Sequence, residues 1–313
     1  MAGITNSAFR TLCREQGAGL FVSEMVTARA LIERHPETMR LITPGKGETP
    51  RSVQLYAVDP NVTGLAVKLL MEENLADHID LNFGCPVKNV VCKDAGSGML
   101  RNLPKLIQIT AELVKRSPKP LTVKTRLGWD DQSKHIVYLA EALQDIGVAA
   151  IAIHGRTRVQ MYKGEADWTL IGEVKANQRM HIPIFGNGDI NSPSKAALYR
   201  ERYGVDGLMI GRAAIGYPWI FREIKHYLQT GQTLDPPTVA ERLAACREHL
   251  ERSLVWKGPK LGLLEMRRHY APYFKGFDHI KEIRSQLVQS MDPDEVRDLL
   301  SLIESQYTNA TGG

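Results

Sequence analysis

A chain of 313 residues with 43% hydrophobic and 24% charged content can bury a large core and fits one large domain plus a small one. Its apolar runs, each broken by Pro, Gly or a charge, fall short of the roughly 20 residues of a membrane-spanning helix. Cys13, Cys85, Cys92 and Cys246 lack paired metal-site spacing and no hydrophobic leader opens the chain, so the expectation is a cytoplasmic protein without metal, disulfide or membrane. A net charge of +5 permits a polyanionic partner without requiring one.

In chain order, β-rich runs at 20–22, 52–55, 78–81, 121–123, 150–153, 182–185 and 207–210 are predicted strands. Helical patterns over 61–73, 103–115, 134–145 and 192–202 lie between them, each long enough for a parallel crossover. Such βα repetition, with polar residues at the strand ends, predicts a (β/α)8 TIM barrel in preference to a doubly wound open sheet. Residues 5–16 read as the first helix, capped by Thr5 or Asn6 and closed at Gly17, so the first barrel strand is expected to precede Met1. After a linker at 231–238, periodicity over 239–255, 261–274, 280–289 and 293–306 predicts a small all-α domain. The expected division is therefore a catalytic barrel over 1–230 and a helical domain over 239–313.

In Asp80-Leu81-Asn82-Phe83-Gly84-Cys85-Pro86 a thiol follows a strand directly, between two residues that stop a ladder from continuing. Alone, such a cysteine is better explained as a small core filler, and it is the surrounding residues that favour chemistry. Gln54, Asn82, Lys124, Arg126 and His154 fall at the same strand ends, where barrel active sites are built. Gly155-Arg156-Thr157-Arg158 adds two cations to a flexible loop, and Gly186-Asn187-Gly188-Asp189 with Gly211-Arg212 offers amides and a guanidinium for a phosphate. Ordinary turn punctuation explains each glycine pair singly; together, after the last two strands, they fit a phosphate-bearing cofactor.

The segments Met1-Ala2-Gly3-Ile4-Thr5, Asn82-Phe83-Gly84-Cys85-Pro86, Lys124-Thr125-Arg126, His154-Gly155-Arg156-Thr157, Asn187-Gly188-Asp189 and Ile210-Gly211-Arg212, in this order, resemble the tRNA-dihydrouridine synthases, nearest the bacterial B-type branch. The resemblance implies FMN as cofactor, NADPH as reductant and uridines of tRNA as substrate, in a monomer. It implies flavin contacts at Met1, Ala2, Gln54, Asn82, Lys124 and His154, and phosphate contacts at Asn187, Gly188, Asp189, Gly211 and Arg212. Reduction of the uracil C5–C6 bond also needs a proton at C5, which the resemblance assigns to Cys85; a thiol of ordinary pKa is protonated at neutral pH. Arg126, Arg156 and Arg158 are expected at the substrate. A dihydroorotate dehydrogenase-like FMN enzyme and a noncatalytic tRNA-binding protein on a degraded barrel are the competing readings.

Between 257 and 284, seven basic residues including Arg267 and Arg268 face three acidic ones, with Tyr270, Tyr273, Phe274 and Phe277 interleaved. That composition suits stacking and phosphate contacts with RNA, and it equally suits a helix packed by its aromatics. Arg267 and Arg268 are the expected RNA contacts.

Overall fold

A computed structural model describes residues 1–45, 47–56 and 58–308. The chain divides into two compact units, Leu20–Gly211 and Met1–Gly19 with Arg212–Gly313.

The first unit is a seven-stranded parallel sheet in sequential order: β1 (Val26–Thr27), β2 (Ser52–Tyr56), β3 (His78–Asn82), β4 (Leu121–Arg126), β5 (Ala150–His154), β6 (Ile184–Asn187) and β7 (Gly207–Met209). Sequential parallel pairing joined by helices is the winding of a TIM barrel. Among the described residues β1 and β7 are the ends of the sheet. Helices Pro60–Glu72, Leu103–Arg116, Ile136–Asp145, Thr169–Ala176 and Pro193–Tyr203 are the crossovers. Pro at their first positions and side-chain caps from Asp59, Asn102 and Ser192 start three of them; Gly204, at φ 64°, ends the last.

The strand expected at 20–22 is displaced to Val26–Thr27. Ser23 explains the shift, because its hydroxyl accepts the Gln54 amide at 3.0 Å where a strand carbonyl would otherwise pair. The ladder begins only beyond it, with Val26 opposite Leu55. β3, β4 and β5 run one to three residues past their apolar cores to Asn82, Arg126 and His154, so the polar strand ends belong to the sheet itself.

The second unit joins helix Ser7–Glu15 to Ile220–Thr230, the helical run Val239–Tyr273, Lys281–Gln289 and Pro293–Thr308. The long run is broken at Gly258 (φ 76°, ψ 171°), where Pro259 begins the second segment. Tyr270, Tyr273 and Phe274 are fully buried in this unit's core with Leu250, Met266 and Leu300, so they pack helices and are not the RNA-stacking faces their spacing also allowed. The compact units thus break at residues 19 and 211, whereas the composition of the chain changes at 231–238. Helix Ser7–Glu15 docks on the tail: Phe9 stacks on His249 with ring centroids 5.8 Å apart, Glu15 pairs with Arg252 at 2.7 Å, and Asn6 donates to Glu265 at 2.7 Å.

His249 and His269 meet edge to face at 4.4 Å between centroids, both buried. Burial is the main reason both titrate below the usual histidine range, His269 at about 3. Below the ordinary value of 6.5 the unfolded chain takes up protons that these folded rings refuse, so their contribution is present above that pH and falls as pH drops. The expected loss is about 1.4 kcal/mol per pH unit for each ring. Urea midpoints between pH 7 and 4, with ring-proton shifts of the two histidines, check this; rings that titrate near 6.5 in the folded protein would refute it.

Candidate active site

Side chains two apart on a strand share a face, which places Asp80 with Asn82 and Thr122 with Lys124 and Arg126. Asp80 accepts from Thr122 Oγ1 at 2.6 Å and from Gln54 Nε2 at 2.7 Å, and Gln54 Oε1 accepts from Asn82 Nδ2 at 2.8 Å. This relay orients Asn82 so that its Oδ1 receives the amides of Gly84 (3.0 Å) and Cys85 (2.8 Å). The Cys85 carbonyl accepts from the amide and hydroxyl of Ser97, at 3.0 and 2.8 Å. Gly96, at φ 54°, permits that approach, since a Cβ there would fall 2.9 Å from the same oxygen. The thiol turn is therefore clamped from both sides. Cys85 itself is half-buried, and burial raises its pKa against the opposing pull of the Val87 amide and of Arg126. A protonated thiol is the form this environment favours.

Arg126 is buried. It donates to Gly84 O at 2.8 Å, Thr157 O at 3.0 Å and Met161 O at 2.9 Å, tying the thiol turn to the loop after β5. Tyr162 in that loop is half-exposed, with Arg126 Cζ 5.7 Å from its ring centre and the His154 ring at 6.3 Å. Lys124 is half-buried and donates to the Thr125 carbonyl at 3.3 Å. Burial first, and the charge of Arg126 second, bring Lys124 down to about 7, against a smaller opposing effect of Asp80. A half-buried cation held so near neutrality beside a second cation suits a ligand that brings negative charge.

Arg156 is 2% exposed and gives its guanidinium to Asp189 in a bidentate pair, at 3.0 and 2.7 Å, with Nη1 also 3.3 Å from His154 Nε2. Asp189 Oδ2 in addition accepts the Ala166 amide at 2.8 Å. These two side chains, expected separately at substrate and at phosphate, are brought together and fold the 156–166 loop. Asn187 Nδ2 donates to Met209 O at 2.7 Å, closing β6 on β7. Gly188 has φ 126°, and a Cβ there would fall 2.6 Å from that of Ala166 and 3.0 Å from His154, so backbone alone lines this bend. A bend whose central residue carries no side chain, and a lysine beside a second cation, fit the close approach of a flavin phosphate and of its electron-rich ring.

Met1, Ala2, Arg212, Arg267 and Arg268 lie in the helical unit. Arg268 donates to the Ala2 and Gly3 carbonyls at 3.3 and 3.4 Å, and Arg267 to Gln289 O and Met291 Sδ at 3.3 and 3.1 Å. Arg212 is exposed. Asp80, Thr122, Ser97 and Tyr162 were not singled out from sequence. Only Asp80 carried a signal, a carboxylate inside an apolar strand two residues from Asn82.

The family profile of the dihydrouridine synthases (Dus) matches residues 1–310. This chain belongs to that family. It is 40% identical over 314 aligned residues to tRNA-dihydrouridine synthase B of Pseudomonas aeruginosa PAO1, covering 100% of this chain and 93% of that one. With the enzyme of the same name from Shewanella oneidensis MR-1 it shares 41% identity over 273 residues, 87% of this chain and 84% of the other. Histamine dehydrogenase from Rhizobium sp. 4-9 is a structural neighbour in fold alone, with TM-score 0.51 at 12% identity over 78% of this chain and 46% of that one. Dihydrouridine synthases are flavin-dependent oxidoreductases built on a TIM barrel with a helical domain, and this chain is one of them. Among the described residues no helix is long and apolar enough to cross a membrane, and no group of His, Cys, Asp and Glu could hold a metal ion.

Proposed function

We propose that this protein reduces uridines of tRNA to dihydrouridine in the cytoplasm, as a monomer, with FMN as its resident flavin and NADPH as reductant. The observation that carries this reading is 40% identity along the whole chain to an enzyme named for that reaction. When bound, the flavin would supply a hydride to C6 of the uracil, leaving C5 to take up a proton.

The residues of the chain then divide the remaining work. Cys85 Sγ holds the proton for C5, kept on sulfur by burial. Asn82 and Ser97 fix the peptide that carries it, and Arg126 fixes that turn against the β5 loop. Lys124 would hold the flavin ring and offer it a positive charge, with Gln54, Asn82 and His154 as further ring contacts. The Asn187-Gly188-Asp189 bend and Gly211 would hold the ribityl phosphate, while the Asp189 carboxylate holds Arg156. Contacts from Met1, Ala2 and Arg212 rest on the family resemblance. The half-exposed Tyr162 offers a stacking face for the extruded base, whose removal from the RNA stack costs a few kcal/mol. Arg158 faces the substrate in this scheme, and Arg267 and Arg268 serve RNA from the helical domain.

Nucleoside mass spectrometry of tRNA from cells lacking and regaining the gene tests the assignment. A dihydrouridine position lost and restored with the gene is the expected result, and an unchanged profile refutes it. Replacing Lys124 by Met should leave purified protein with much less flavin, read from visible absorbance. The same change should stabilise the apoprotein. Between about 7 and the ordinary value of 10.5 the unfolded chain holds a proton that folded Lys124 lacks, so stability rises with pH across that window and Met flattens the rise. Wild-type flavin content in the variant would remove Lys124 from the flavin site.

A further inference from the structure

Two guanidinium groups lie over a single indole. Arg101 Cζ is 4.6 Å and Arg158 Cζ 4.7 Å from the ring centre of Trp129. The three residues come from three connections: Arg101 ends the 3-10 turn Gly96–Arg101, whose Ser97 grips Cys85, Trp129 follows β4, and Arg158 follows β5. Backbone bonds lace the last two together, Arg158 N to Gly128 O at 3.0 Å and Val159 N to Trp129 O at 2.9 Å. Gly128 lets the Ser133 carbonyl pack against this connection, because a Cβ there would fall 1.9 Å from that oxygen.

The array gathers like charges and leaves them poorly neutralised. Arg101 Nε donates to Gly98 O at 3.4 Å and Nη2 pairs with Asp94 at 2.6 Å, but both charged side chains are substantially exposed, so that ion pair contributes little. Arg158 Nε is buried without a hydrogen-bond partner, a cost the fold carries unless something else accepts that bond. Arg126 next to it is brought down to about 10, by burial first and with repulsion from Arg156 and Arg158 contributing. Cation–π contact with Trp129 orients the guanidiniums as flat plates, but it does not neutralise them.

The chemistry that satisfies both demands is an anion with an aromatic plane attached. A phosphodiester accepts from the terminal guanidinium nitrogens of Arg158 and Arg101, and a base stacks on a guanidinium face. We infer that Arg101, Trp129 and Arg158 form a subsite for the phosphate and base of a nucleotide adjoining the uridine that reacts. The inference rests on the RNA substrate proposed above and adds to it where the neighbouring nucleotide is held. Phosphate contacts of this kind set register, so the subsite acts on which uridine reaches Cys85.

Arg101→Gln is the discriminating variant because the residue is exposed and its loss leaves the core intact. Binding of an unmodified tRNA transcript is measured between 50 and 200 mM KCl, alongside dihydrouridine formation and melting temperature. Arg101→Gln and Arg158→Gln should each weaken binding about tenfold and flatten the plot of log affinity against log salt by roughly 0.7–0.9. Arg101→Lys should keep the salt slope while losing affinity, because charge remains and the flat stacking surface does not. If the variants keep wild-type affinity and slope while melting earlier, the array is a structural brace and the subsite is refuted alone. If the wild-type protein binds no transcript, the RNA reading falls and the subsite with it.

Discussion

Cys85→Ala is expected to retain its flavin and the oxidation of NADPH while dihydrouridine formation falls by about 10²–10⁴-fold, the usual contribution of a positioned general acid. The clamp on the turn uses the peptide of residue 85 and the side chains of Asn82 and Ser97, so alanine leaves the backbone in place. Because burial raises the thiol above its ordinary value of 9.0, the protonated form persists through pH 8. Wild-type turnover should therefore stay level from pH 7 to 8.5 and decline only above 9, as the proton is lost. Cys85→Ser should recover little, a hydroxyl being a much weaker acid. Single-turnover rates with pre-reduced enzyme check both statements; an alanine variant within threefold of wild type, or a rate that climbs with pH through 9, would show that residue 85 is not the acid.

Breaking the Arg156–Asp189 pair should produce the largest loss of stability. Arg156 is fully enclosed, and its bidentate partner also receives the Ala166 amide, so Asp189→Ala leaves a buried guanidinium charge with neutral carbonyls of Lys163 and Gly164 and strands the amide. Removing one member of such a pair typically costs about 3–5 kcal/mol, which for a unit of this size lowers the melting temperature by roughly 10 °C. Asp189 sits at φ 53°, a conformation few side chains hold without support, and its carboxylate contacts supply that support. The loop it folds carries Tyr162 and bonds to Arg126, so turnover should fall further than flavin content. Asp189→Asn, which keeps the shape and one acceptor oxygen, should lie between. A melting temperature within 2 °C of wild type in Asp189→Ala would show that the pair is dispensable.

Much of the site was legible because barrel chemistry is confined to strand ends, and strand ends announce themselves where an apolar run meets Asn, Lys, Arg or His. Asn82, Lys124, Arg126 and His154 were proposed in that way, and they lie in the last residues of β3, β4 and β5. Periodicity also located the helices after the linker, since an apolar face recurs whether or not its partner is known. The mistakes have a common origin. At 20–22 the residues have the propensity of a strand, but the Ser23 hydroxyl takes a ladder donor and moves the strand onward. Tyr270, Tyr273 and Phe274 recur at helical spacing that serves a core and an RNA surface equally, and only packing tells them apart.

The pattern of residues along the chain determined the βα alternation, the helical tail and the placement of a thiol after β3, since each follows from periodicity and from Gly and Pro at short range. Which charges remain for a ligand was decided by the tertiary structure. Arg156 and Arg158 are two residues apart in one loop, yet the first is spent on a carboxylate 33 residues onward and the second keeps a buried donor unpaired. A hydrogen bond depends on distance and direction, and those are created only when separate strands are brought side by side.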